Sequence, residues 1–64
     1  MKGSKLIQWT GYHHKTEWMK DTQYGPMEFL TWCLCEIERF RGHGIEAELR
    51  FNKEGKAAIW KEPI

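Results

Sequence analysis

Residues 45–51 read Ile-Glu-Ala-Glu-Leu-Arg-Phe, apolar and polar in strict alternation. A period of two is the signature of a half-buried strand. Asn52-Lys53-Glu54-Gly55 follows, with Asn first and Gly fourth, which suits a type I turn closed by a left-handed residue in a bulged three-residue hairpin. Residues 56–62 return, Pro63 ends the strand, and the C-terminal hairpin is expected over 45–51 and 56–62. If Asn52 faces Lys56, then Phe51 faces Ala57, Arg50 faces Ala58, Leu49 faces Ile59 and Glu48 faces Trp60. One face then holds Ala47, Leu49, Phe51, Ala57 and Ile59, the expected core side. The other holds Glu46, Glu48, Arg50, Ala58 and Trp60. Trp60 cannot join the core side without a slip that expels Ile59.

Residues 26–41 follow a longer period. Pro26 suits the first position of a helix, where its missing N–H is no loss. Gly42 and Gly44 supply the stop, with Arg39, Arg41 and His43 near the negative end of the dipole. At about 100° per residue, Met27, Phe29, Leu30, Cys33, Leu34, Ile37 and Phe40 share one broad arc. Glu28, Thr31, Glu36, Glu38 and Arg39 lie opposite, and Trp32 and Cys35 fall among them. Glu28, Trp32, Cys35 and Arg39 thus form one stripe on the polar side.

The first quarter predicts a strand over Lys5–Thr10, with Ile7 and Trp9 on one face, and a second over Lys15–Asp21, with Gly11-Tyr12-His13-His14 connecting them. The expected order is β-β-α-β-β. One domain over 1–64, a small two-layer α+β fold, would pack its single helix on one face of an antiparallel sheet. The other sheet face is left to solvent or to a partner.

Composition narrows the function classes. Sixty-four residues bury only roughly 60% of their unfolded surface. Four of them are Trp, against about one in an average chain of this length. Ten Lys/Arg against nine Asp/Glu leave a net charge of +1, without the basic excess that non-specific nucleic-acid binding needs. No apolar run approaches the roughly 20 residues of a membrane-spanning helix. The apolar stretch after Met1-Lys2-Gly3-Ser4-Lys5 is too short for a signal peptide. Cys33 and Cys35, the only cysteines, point apart on a helix and cannot bridge. A soluble, cytoplasmic chain in a reducing compartment is expected.

Candidate chemistry is sparse. His13, His14, His43, Cys33 and Cys35 are metal-ligand types, but C-x-C inside a helix is not zinc spacing, and Cys33 reads as a small core residue. No metal or cofactor is expected. Cys35 is the one nucleophile near the surface, and nothing in the order of residues brings His13 or His14 to it as a base. Glu46 and Glu48 read as solvated charge. A chain this small rarely encloses a substrate pocket, so no enzyme is expected.

The remaining reading is binding. Trp32 and Trp60, placed by period on polar sides and flanked by charges of both signs, have the character of interface anchors with a polar rim. Two contact stripes follow: Trp60, Arg50 and Glu48 on the open sheet, and Trp32, Arg39 and Glu28 on the helix. The sheet side is favoured for its contiguous area. The expected role is a small non-catalytic regulator or inhibitor that occludes a site on a partner protein. Phages and mobile elements encode proteins of this size and style, aimed at host transcription, replication or defence complexes. A homodimer through the open face or an edge strand is a variant. The alternative is nucleic-acid binding, with Trp60 and Arg50 stacking bases and Lys53, Lys56 and Lys61 near by. Glu46, Glu48, Glu54 and Glu62 on or beside that surface oppose it. The His13–His14 connection would add pH sensitivity near neutrality if it touched the partner.

Overall fold

The structure is a computed structural model that describes residues 5–63, so the Met1–Ser4 part of the N-terminal stretch read for a signal peptide lies outside the described residues. In chain order the elements are β1 (Ile7–Gln8), β2 (His13–His14), β3 (Trp18–Met19), β4 (Met27–Glu28), α1 (Phe29–Gly42), β5 (Ala47–Phe51) and β6 (Lys56–Lys61). One helix packs on antiparallel sheet, and the fold class is small α+β. The order is β-β-β-β-α-β-β, which corrects the expected β-β-α-β-β.

The C-terminal hairpin forms in the expected register, from Phe51 opposite Ala57 to Glu48 opposite Trp60 and on to Ala47 opposite Lys61. Asn52 N–H donates to the Lys56 carbonyl at 2.9 Å, and the Asn52 side chain accepts from the Glu54 and Lys56 amides. Gly55 closes the turn at φ +85°, a conformation that Cβ sterics make costly for other residues.

The N-terminal quarter departs from expectation. β1 and β2 do not make a hairpin with residues 15–21. Both lie along the far side of β6: Ile7 opposite Lys61, Gln8 opposite Trp60, then His13 opposite Ala57 and His14 opposite Lys56. The two registers differ by two residues, and Trp9 and Thr10 take up the difference by both donating to the Ile59 carbonyl, at 2.9 and 3.4 Å. Thr10 Oγ1 accepts the Ile59 N–H in return at 2.8 Å. β6 is therefore central, and Ala57, Ala58 and Ile59 are fully buried on both of its faces. The predicted second strand survives only as Trp18–Met19, paired with Met27–Glu28 in a separate two-stranded ribbon.

That ribbon also delays the helix. Met27 and Glu28 are held as strand, so α1 starts at Phe29 and not at Pro26. Glu28 occupies the cap position without a side-chain bond, and the Glu17 carbonyl accepts the Phe29 N–H at 2.6 Å. The helix ends as its glycine predicts. Gly44 sits at φ +79°, its N–H bonds the Arg41 carbonyl at 3.0 Å, and Ile45 N–H bonds the Phe40 carbonyl at 2.9 Å. This is the Schellman arrangement.

The helix is turned relative to the expected arc. Phe29, Cys33, Glu36, Ile37 and Phe40 are buried, Trp32 packs against the same cluster, and Leu34 is 53% exposed. The spacing 29, 32, 33, 36, 37, 40 is regular for one helical face. Expectation erred by preferring Leu34 to Glu36, because the partners that make Glu36 acceptable inside come from a distant turn. On the sheet, Ala47, Ala57 and Ile59 meet the helix and Leu49 packs at the margin of the cluster. Phe51 shares their face but is 49% exposed, outside that cluster.

Candidate functional site

The described chain measures 37 × 29 × 13 Å, thin enough for one helix on one sheet. The outer face of the sheet, opposite α1, carries Gln8, Glu48, Arg50, Ala58 and Trp60 by register. Ala58 lies opposite Arg50 with Trp60 two residues farther along, which is the diagonal reach of a long side chain across a strand pair. The small side chain at 58 leaves Arg50 room to lean over, and its guanidinium carbon sits 4.5 Å from the Trp60 ring centre. Arg50 Nε also donates to Glu48 Oε2 at 2.5 Å. The three sheet residues singled out from the sequence are thus brought into one connected group. Trp60 Nε1 is buried and has no acceptor among the described residues.

The helix stripe is not assembled. Trp32 faces inward, a correction to its expected place on the polar side. Its ring stacks on Trp9 at 5.9 Å and 17° and on Phe29 at 5.6 Å and 29°. Trp9 in turn meets Phe40 edge-on at 5.1 Å. Arg39 turns to Glu36, Nη2 to Oε1 at 2.6 Å. Glu28 sits in β4 opposite Trp18. The physical reason is the helix rotation: Trp9, delivered by the irregular edge along β6, offers a ring for Trp32 to cover.

Glu36 is the residue that period alone misplaced. It is 2% exposed and accepts from Tyr24 Oη at 2.8 Å, Gln23 Nε2 at 2.9 Å and Arg39. A tight turn at residues 22–25 brings the first two donors. There Thr22 Oγ1 bonds the Gly25 carbonyl, and Gly25 takes φ +98°. Burial pushes the Glu36 carboxyl up, but the hydrogen bonds from Arg39, Tyr24 and Gln23 and the charge of Arg39 outweigh it and hold the group below its ordinary value. The signal available in the sequence was a lone Glu inside an otherwise apolar 3–4 spacing, with Arg three residues on.

The other candidates fall apart spatially. His13 and His14 belong to a strand, not to a connection, so they face opposite ways. His13 Nδ1 lies 3.3 Å from Glu17 Oε1 with its ring 4.5 Å from Phe29, and His14 Nδ1 is 3.0 Å from Thr16 Oγ1. Among the described residues no three His, Cys, Asp or Glu side chains come together as a metal site. Of the lysines expected beside Trp60, Lys61 is 5% exposed on the helix side, with Nζ 5.4 Å from the Phe40 ring centre. Lys56 pairs with Glu54 at 3.7 Å. One ring face of Trp60 is already covered by Arg50.

Compared with protein-family models, curated proteins and solved structures, the chain matches none.

Among the described residues, grooves of about 410 and 440 Å³ open on the surface. One is lined by Thr31, Leu34, Cys35, Ile37, Glu38 and Arg41, the other by Arg41, Gly44, Ile45, Glu46 and Glu62. Cys35 lines the first, whereas Cys33 is fully buried. Burial, with the negative charge of Glu36, pushes the Cys33 thiol up to about 12, so it stays protonated and unreactive. A thiol-specific chromogenic reagent should therefore titrate Cys35 alone in the native protein and both cysteines in denaturant. Rapid modification of both before unfolding would contradict this packing.

Proposed function

We propose that this chain is a small non-catalytic regulator or inhibitor that covers a site on another protein with the outer face of its sheet. Trp60 and Arg50 lie at the centre of the contact and Glu48 at its rim. The observation that carries this reading is the Arg50–Trp60 stack, tied to Glu48 on the sheet face opposite α1. Arg and Trp are the residue types that most often dominate interface energies. Holding them in place before contact lowers the entropy lost on binding. Charges of both signs at the rim favour a polar protein surface over a uniformly anionic one.

No helix among the described residues is long and apolar enough to cross a membrane. The free thiols of Cys33 and Cys35 fit a reducing compartment, and we place the protein in the cytoplasm. By size and style it suits the small proteins with which phages and mobile elements engage host transcription, replication or defence complexes.

The test is quantitative capture from a lysate of the cells that make the protein. Arg50→Ala and Glu48→Lys should each release the same partner that the parent retains. For a central anchor such as Arg50 the loss should be about 2 kcal/mol, roughly thirtyfold in affinity. Retention of that partner by the Arg50→Ala, Glu48→Lys double variant would remove the sheet face from consideration. Tight binding to single-stranded nucleic acid with a steep salt slope would point to the other class.

A further inference from the structure

β5 is an edge strand. Among the described residues it pairs only with β6. The Asn52–Lys56 and Glu46–Glu62 bonds show that even-numbered residues turn their amides toward β6. In an antiparallel ladder the alternate residues then turn theirs outward. The backbone groups of Leu49 and Phe51 therefore point to the open side, whereas Ala47 is fully buried beneath the Arg41 side chain. The Ala47 carbonyl has this direction, since Arg41 Nη2 reaches it from the helix at 2.9 Å. An open edge is a template for another strand.

We propose that this edge joins the same edge of a second copy of the chain, antiparallel about a twofold axis through Leu49, so that two sheets become one. The sequence of β5 is complementary to itself in that register. Leu49 faces Leu49 of the other copy, Ala47 faces Phe51, and Glu48 faces Arg50. Small meets large on the helix side and acid meets base on the outer side. The next register, centred on Arg50, sets Arg50 against Arg50, a like-charge pair that destabilises a sheet. Leu49 contributes both its N–H and its carbonyl. The Ala47 carbonyl is covered by Arg41, so the Phe51 N–H of the other copy reaches its second lone pair only when that side chain swings aside.

The helix flank supports the same occupant. The groove lined by Thr31, Leu34, Cys35, Ile37, Glu38 and Arg41 lies on α1, and its Arg41 is the side chain that reaches the Ala47 carbonyl at this edge. Leu34, two turns before Arg41 on the same helix stripe, is 53% exposed, and Phe51 on β5 is 49% exposed. Pairing lays the two grooves against each other and removes both residues from water. An interface of five strand residues and one groove belongs to the small, weak class, so the dimer is concentration-dependent. The pair extends the outer face on which the proposed function rests, but it is measured without any partner protein, so either proposal can fail alone.

Sedimentation equilibrium of the full chain, from micromolar to near-millimolar concentration, should show the mass rising from one chain to two. Phe51→Lys and Leu34→Glu should each hold it at one chain with the circular dichroism unchanged. Glu48→Arg should be monomeric, because an arginine at that position would oppose Arg50 of the other copy, and Arg50→Glu should be monomeric because two glutamates would then face each other. Mixed together, these two variants should form a one-to-one pair, which no contact within a single copy can explain. A parent chain that stays monomeric throughout, or single variants that dimerise as well as the parent, would overturn the proposal.

Discussion

Trp32→Ala should leave this protein largely unfolded at room temperature. Replacing a packed Trp by Ala costs about 3–5 kcal/mol. A core of this size rarely supplies more than about 3–5 kcal/mol of net stability. The ring stacks on both Trp9 and Phe29, so its loss leaves a gap beside β1 and the first turn of α1. Equilibrium urea unfolding, followed by far-ultraviolet circular dichroism, reads this directly. Trp9→Ala should act in the same direction but less, because Trp9 is 41% exposed. The double variant should be less destabilised than the sum, by about 0.5–1.5 kcal/mol for the lost stack. Trp60→Ala should cost distinctly less than Trp32→Ala, since it sits outside the core cluster. Trp60→Phe should be neutral or slightly stabilising, because it removes a buried N–H that has no acceptor among the described residues. Equal urea midpoints for Trp32→Ala and the parent would place the ring back on the solvent side.

The second large effect belongs to Glu36. Glu36→Ala removes one acceptor from three donors and should cost about 2–3 kcal/mol, mostly through Tyr24 and Gln23, since Arg39 is well exposed and can be hydrated. The same carboxylate predicts an acid limb. Its value in the folded chain lies below its ordinary one, so the stability it contributes is complete above the unfolded value of about 4.3. That contribution is lost as pH falls through the lowered folded value. The urea midpoint of the parent should therefore fall between about pH 5 and the strongly acid range. Glu36→Gln, which keeps the shape and loses the charge, should start lower at neutral pH and show a shallower fall. Parallel acid limbs in the two proteins would mean that another carboxylate sets the dependence.

Legibility followed sequence separation. The hairpin register could be read because turn and strands are contiguous, and the period of two leaves only one face for Ala47, Ala57 and Ile59. The end of the helix was visible because Gly44 acts on carbonyls a few residues away. The register put Arg50 and Trp60 on one face of neighbouring strands, and the stack between them appeared only with the side chains in place. Phe51 shows the limit: its face was right, yet whether the helix covers it depends on where α1 lies across the sheet.

What the sequence by itself determined is local: a bulged hairpin, an amphipathic helix with a glycine stop, and the sheet face that Trp60 occupies. Only the tertiary structure decided which side of the helix went in. β6 took its second neighbour from residues 7–14, and that choice placed Trp9 beside the helix. The turn at 22–25 placed two donors beside Glu36. Trp32 and Glu36 were then buried and Leu34 was left outside. Helical periodicity ranks positions by their own polarity, but burial is settled by what stands opposite, and here those groups come from distant segments of the chain.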